Sequence, residues 1–165
     1  MSTETTDSKT WDVLATVEKW HNAAARKAGL PPDEVVAQKG IILLNARIPA
    51  LLNLLIGVSV TNFGPGNAYI GVGDSTTAAA AGQTALQASS NKDYQGMESG
   101  YPSVSGQTVT FRSIWASSEG NFAWNEWTVA NGSSDSATNL NRKVAALGTK
   151  AGGSEWTLTV AITVS

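Results

Sequence analysis

The sequence predicts an α+β fold, in which a helical arm over residues 1–60 precedes a mainly antiparallel β-sandwich or barrel over residues 66–165. The two halves differ in composition, because the first carries most of the Leu and Ile and the second carries most of the Gly and Thr. Several segments of the second half alternate apolar and polar residues, and turns rich in Gly and Asn separate them. A length of 165 residues fits one main domain with an arm.

The first predicted element is a helix that follows the capping residue Thr10 and runs to residue 28. Its larger apolar residues lie near helical spacing in a loose stripe, formed by Trp11, Leu14, Val17, Trp20 and Ala24. Basic residues fall in the last predicted turn, and Gly29 follows as a stop signal. The segment PPDE, residues 31–34, then starts a new turn with acidic residues suited to a helix N-terminus.

The most apolar stretch of the chain is IILLNARIPALLNLLIGVSV, residues 41–60. A membrane span needs about 20 residues with few polar groups, and an Arg and a Pro near the centre argue against one here. We therefore expect a helix that is buried or packs against a partner. Two arrangements stay open: one helix broken at Pro49, or a short strand over 41–44 followed by a helix over 49–56. Arg47 would need a carboxylate or a backbone carbonyl as its partner.

Three strands of the second half are predicted from alternation. In SEWTLTVAITVS the predicted interior face consists of Trp156, Leu158, Val160, Ile162 and Val164. In QTVTFRSIW it consists of Val109, Phe111 and Trp115. In NFAWNEWTVA large apolar residues occupy both predicted faces, with Phe122 and Trp124 on one and Trp127 and Val129 on the other. This last strand is therefore expected to be covered on both sides.

A glycine motif in AYIGVGDSTTAAAAGQTAL, residues 68–86, is close to a phosphate-binding turn but incomplete. A dinucleotide-binding turn requires a third Gly, and Thr76 stands at that position. The segment has no Lys for a P-loop, and no second parallel strand with a crossover helix follows it. We expect Gly71 and Gly73 to let a strand end and turn, and we predict no nucleotide cofactor.

The composition argues against several classes of function. A net charge of −2 offers no basic surplus for a nucleic-acid backbone. The chain has no Cys and one His, His21, which excludes a thiolate or His-based metal cluster within one chain. No complete catalytic motif is found, and Glu126 is expected to accept strand-edge or inter-subunit hydrogen bonds rather than to form an acid–base pair with Glu119. We predict a protein that is not an enzyme, with no cofactor, metal, nucleic acid or membrane partner.

Low charge indicates that another protein covers part of the surface. Charged residues make up 15% of the chain, against about 25% in typical soluble domains. The candidate interface residues are the large residues of the arm and a group of Trp residues: Trp11, Trp20, Ile41, Leu44, Arg47, Leu51, Leu54, Leu55, Trp115, Trp124 and Trp127. For the last three, a place in the core, at an interface or in a sugar-stacking platform stays open.

A family resemblance covers residues 67–165. It rests on YIGVG, the T-x-L step at 84–86, TVTFR at 108–112, FAWNEW at 122–127, LNRKV at 140–144 and the Thr-rich strand at 156–164. In this order the segments resemble a small β domain of structural proteins of tailed bacteriophages, whereas the first 60 residues do not clearly match. The resemblance implies a non-enzymatic virion protein, such as a capsid decoration or cement protein or a neck or tail accessory protein.

The same resemblance implies the location and partners of the chain. It places the protein in the virion, in contact with the major capsid, neck or tail protein. The low charge and the apolar segment 41–60 predict a homo-oligomer, and the usual symmetry of phage surface parts makes a trimer the expected state. Residues 1–60 would then be the docking and oligomerisation element. The alternative function is a receptor- or glycan-binding module of a tail fibre, which exposed Trp side chains beside Asn or Asp acceptors would favour.

Overall fold

The computed structural model describes residues 10–165, which form two sheets of five antiparallel strands each around one apolar core. In chain order the strands are β1 (Trp11–Trp20), β2 (Glu34–Lys39), β3 (Ile42–Leu43), β4 (Tyr69–Gly73), β5 (Lys92–Gly96), β6 (Ser103–Ser105), β7 (Thr108–Trp115), β8 (Ala123–Ala130), β9 (Asn141–Thr149) and β10 (Glu155–Val164). The helices are α1 (Ala23–Lys27) and α2 (Ile48–Leu55), and a 3-10 turn spans Asn45–Arg47. The first sheet has the order β2-β1-β10-β7-β6 and the second β3-β9-β8-β4-β5. This arrangement is consistent with the predicted β-sandwich.

The predicted N-terminal helix is wrong, because residues 11–20 form strand β1 in the first sheet. β1 pairs with β10 in an unbroken antiparallel register and with β2 on its other side. Its buried residues Val13, Ala15 and Val17 follow a period of two. The two ladders satisfy the backbone of β1 from both sides, and this pairing outweighs the loose helical stripe. A helical arm is therefore not evident, and the first nine residues of the predicted arm lie outside the described residues.

Of the helix predicted to run from Thr10 to residue 28, only the short helix α1 is formed, in the turn after β1. Asn22, rather than Thr10, caps α1, and its side chain accepts a hydrogen bond from the Ala25 backbone N–H at 2.8 Å. Gly29 has a φ of 70°, so the predicted stop signal is confirmed. A helix after PPDE is not formed, since residues 34–39 are the edge strand β2.

Residues 41–60 follow the second of the two predicted arrangements. The strand β3 is followed by the 3-10 turn, and α2 begins with a proline in its first turn. Pro suits this position because its missing N–H has no partner within the helix there. The helix ends before Gly57, whose φ of 75° is readily adopted by glycine.

The predicted interior face of β10 is confirmed. Trp156, Leu158, Val160 and Ile162 are at most 5% exposed, and Val164 at the strand end is half-buried. Phe111 and Trp115 of β7 lie in the same core cluster, against which Val109 and Phe122 pack. The core therefore joins the interior faces of both sheets.

Strand β8 is covered on both faces, as predicted, but its faces are divided differently. A register shift against β9 lies between Trp124 and Glu126, and it interrupts the regular alternation. Trp124, Trp127 and Val129 consequently all belong to the core cluster. Between them, Glu126 and Thr128 have no exposed surface, which leaves two polar side chains buried on the opposite face of the second sheet.

Candidate interaction surface

An exposed apolar face runs along α2 and the residue that follows it. Leu55 is 80% exposed, Ile56 73%, Leu52 55% and Ile48 53%. Their spacing places them on one side of the helix, and no α2 residue is fully buried. Residues 48–73 contain no Asp, Glu, Lys or Arg. We call these four side chains the α2 face; an apolar patch of this kind is a candidate site of protein contact.

The opposite side of α2 lines an apolar groove of about 350 Å³. Leu51 and Leu54 of α2 form one wall, and Trp11 and Phe63 lie beside them. The remaining large side chains of the lining come from β7, from β10 and from the residue before β9: Val109, Phe111, Leu140 and Ile162. None of the lining residues is charged. We call this cavity the α2 groove.

Arg47 anchors the start of α2 within its own chain. Its side chain is almost fully buried, and Nη2 donates a hydrogen bond to the Thr84 backbone carbonyl at 3.3 Å. Asn139 Nδ2 donates to the same carbonyl at 3.0 Å. The predicted carbonyl partner of Arg47 is thus confirmed as an intrachain one. Burial lowers the pKa of Arg47, because its charge is removed from water.

The structure divides the predicted interface residues into separate groups. Trp11, Leu51 and Leu54 come together around the α2 groove, and Leu55 lies on the α2 face. Ile41 packs half-buried against the core. The others are buried within the chain: Trp20, Leu44, Arg47, Trp115, Trp124 and Trp127. Four further residues of this surface were not among the predicted ones: Ile48, Leu52, Ile56 and Phe63. The helical spacing of the first three in residues 48–56 is the signal that identifies them.

The Trp residues of the second half form part of the core. The ring of Trp124 meets the rings of Trp115 and Trp156 edge to face, with centroid distances of 4.7 and 4.9 Å. Trp127 is also fully buried. Aromatic rings in this geometry contribute packing energy beyond the area that they bury. Within the single chain none of the three predicted Trp residues, 115, 124 and 127, presents a ring face to a sugar.

The glycines of YIGVG allow close packing against neighbouring side chains in strand β4. Both lie within β4, and a Cβ on Gly71 would approach the Tyr94 ring to 2.5 Å. A Cβ on Gly73 would lie 2.6 Å from Oε1 of Glu126. Strand β4 ends at Gly73, as expected, whereas Gly71 lies inside the strand, and both positions require close approach to neighbouring side chains.

Residues 74–91, which follow β4, are held against the second sheet by a buried ion pair. Nε of Arg142 donates to Oε2 of Glu126 at 2.6 Å, and neither side chain is exposed. Glu126 also accepts the backbone N–H groups of Gln87 and Ala88. Arg142 reaches the same segment through Gln83. Glu126 was expected to accept strand-edge or inter-subunit hydrogen bonds, but it lies on the central strand β8 and accepts them from the backbone of its own chain. Its partner Arg142 was not predicted from the sequence.

A second group of charges links elements of the first sheet. Arg26 pairs with Glu155 and lies 3.4 Å from Glu98. Arg112 lies 2.8 Å from Glu98 and 3.3 Å from Glu18. The hydrogen bond to Glu155 raises the pKa of Arg26. These carboxylates are thus paired with guanidinium groups, which makes the group a structural cross-link.

The described residues contain neither a cluster of metal ligands nor a membrane-spanning helix. Among residues 10–165, no three or more His, Cys, Asp or Glu side chains are grouped to hold a metal ion. That part of the chain also lacks a helix long and apolar enough to cross a membrane. No protein-family model, curated protein or solved structure matches the sequence or the fold.

Proposed function

We propose that this protein is a structural component of a tailed bacteriophage virion, either a capsid decoration or cement protein or a neck or tail accessory protein. It acts through protein–protein contacts and performs no catalysis. The resemblance over residues 67–165 supports the virion. The single observation that supports a contact function is the α2 face, an uncharged apolar surface on an otherwise hydrogen-bonded β domain.

The energetics of the α2 face favour coverage by protein. Full burial of one large aliphatic side chain contributes about 1.5–3 kcal/mol. The four side chains of the face are between 53% and 80% exposed, so covering them contributes about 4–8 kcal/mol per copy. Association itself costs about 4–15 kcal/mol. The free energy gained by one such contact is therefore close to the cost of association, and several contacts in a closed assembly or on a particle make the association stable.

The proposed partners follow from this balance. Further copies of the chain form a homo-oligomer, for which a trimer is the specific proposal, and other virion proteins such as the major capsid, neck or tail protein supply additional contacts. In a closed oligomer each copy makes more than one contact, which offsets the cost of association. The docking element is then narrower than the whole 1–60 segment, since β1 belongs to the first sheet.

The test is incorporation into particles. A variant with Leu55→Glu and Ile56→Glu should fold normally, because both side chains are largely exposed, and should be reduced at least tenfold in purified virions. The matched control is Val35→Glu on β2, where the side chain is 54% exposed and its neighbour Val36, rather than Val35, packs against the core. Wild-type incorporation of the α2 variant would contradict the proposal.

A glycan-binding module of a tail fibre is the second candidate, and one cavity favours it. A pocket of about 310 Å³ is lined by Trp11, Asp12, Lys39 and Thr163 among others. Trp11 is 39% exposed, and an aromatic ring beside a carboxylate, an ammonium and a hydroxyl group suits a sugar. Binding on a glycan array that is lost in Asp12→Asn with Lys39→Ala would support this candidate, whereas the absence of binding by the wild type would remove it.

A further inference from the structure

We infer that the α2 face of one copy inserts into the α2 groove of a second copy. This inference rests on the proposed function, because it names a second copy as the occupant of the surface proposed there for protein contact. The contact would join two different surfaces of the same chain. It therefore propagates from copy to copy and closes into a ring when the rotation permits.

The protruding part of the α2 face fits the groove in size. Leu55 and Ile56 are neighbouring side chains at the end of α2 and are among the most exposed apolar residues of the described chain. The α2 groove has a volume of about 350 Å³. A cavity of about 150 Å³ holds one benzene-sized group, so the groove has room for two aliphatic side chains.

The charge pattern favours a second copy over a charged partner. The whole segment 48–73 is uncharged, and so are the residues that line the groove. Two copies can therefore bring face and groove together without repulsion between like charges and without burying an unpaired charge. The only polar side chain in the lining that is not aromatic belongs to Asn62, which is exposed and lies at the groove.

Residues 1–9 supply less apolar surface for the groove near Trp11 than Leu55 and Ile56 do. The preceding residues, MSTETTDSK, contain one large apolar side chain, that of Met1. Leu55 and Ile56 supply two adjacent aliphatic side chains on a helix end. Burial of apolar area is the dominant favourable contribution in such a contact, so the α2 face of a neighbouring copy is the better match.

Disulfide trapping tests the contact directly, because the chain has no cysteine. Full-length Leu55→Cys protein is mixed with full-length Asn62→Cys protein and mildly oxidised. A disulfide requires Cα atoms about 4.4–6.8 Å apart, so a covalent dimer forms where the face of one copy meets the groove of another. We expect at least five times more dimer from this mixture than from either variant alone. The control mixture of Val35→Cys, an exposed residue of β2 that does not line the groove, with Asn62→Cys should give only background.

A groove-filling variant provides an independent readout. Val109→Phe enlarges a half-buried side chain that lines the groove, and light scattering should then show at least a tenfold loss of self-association while the near-ultraviolet circular dichroism of the buried Trp residues is kept. Wild-type protein that stays monomeric at tens of micromolar overturns the inference, as does dominant Leu55→Cys self-dimer or unchanged association of Val109→Phe. If the groove variant associates normally and the variant with Leu55→Glu and Ile56→Glu still fails to enter particles, the inference fails and the proposed function stands.

Discussion

Removal of the Arg142 side chain should release residues 74–91 from the second sheet. Arg142 and Glu126 are both fully buried and lie 2.6 Å apart. Arg142 also donates at 2.9 Å to Gln83 Oε1 and at 2.9 Å to the Thr77 carbonyl. The substitution Arg142→Met keeps most of the volume and removes all of these hydrogen bonds, so it leaves a buried carboxylate without a counter-charge.

The expected cost is large relative to the stability of a domain. Breaking a buried ion pair by removing one partner costs about 3–5 kcal/mol. Glu126 keeps the backbone N–H of Ala88 at 2.7 Å and that of Gln87 at 3.0 Å, which places the cost near the lower limit, about 3 kcal/mol. A domain is typically stable by about 5–15 kcal/mol, so the variant should fold but unfold at clearly lower urea concentration.

Urea unfolding followed by Trp fluorescence measures this cost, and a broad-specificity protease reports the opening of residues 74–91. The double variant with Glu126→Gln and Arg142→Met should cost at least 1 kcal/mol less than the sum of the single changes, because coupled buried partners are not additive. Lys143→Met on the same strand is the control, since its ammonium group is bonded to the exposed Lys39 carbonyl. A cost below about 1 kcal/mol for Arg142→Met, or strict additivity, refutes the proposed coupling.

Three further comparisons, each between a variant and its control, test the fold. Val160→Asp should prevent folding, because the side chain is fully buried in the core, whereas Thr159→Asp on the half-exposed face of the same strand should be mild; circular dichroism compares them. Gly73→Ala should destabilise by about 1–3 kcal/mol, since its Cβ would lie 2.6 Å from a buried carboxylate oxygen, and Gly82→Ala, with open space around it, should not change the urea midpoint. A hydrogen bond with the imidazole of His21 lowers the pKa of Asp33. The contribution of Asp33 to folding stability is therefore present above the unfolded pKa of about 3.9 and is lost at lower pH. Asp33→Asn should lose less stability than the wild type on acidification, and an equal loss of unfolding free energy in both proteins would contradict this.

The strands of the second half could be predicted because their local pattern and their burial agree. In β10 the alternating residues Trp156 to Ile162 are the ones that are buried. Strand β1 could not be identified in this way, because WDVLATVEKW carries apolar residues at spacings that suit both a helix and a strand. Its structure is decided by pairing with β10 at the other end of the chain, and single-sequence periodicity contains no information about that partner.

The candidate site was predictable in part for similar reasons. The proline in the first turn of α2 and the run of Leu residues identified a helix, but whether Leu51 or Leu52 faces the sheets depends on tertiary packing. Alternation along β8 predicted the wrong face for Trp124 relative to Trp127 and Val129. The register shift against β9 causes this difference, and the local sequence does not predict such a shift. The partner of Glu126 was missed since it lies on β9, and only the folded sheet brings the two together.

The central claim is that the α2 face is covered by protein in an assembled virion, and a cryo-electron microscopy map of the source particle tests it most directly. We expect density for the two-sheet domain at symmetric positions, with Leu55 and Ile56 packed against a neighbouring protein. A map that contains the domain with the α2 face in open solvent, or a particle that lacks the domain altogether, would contradict the account.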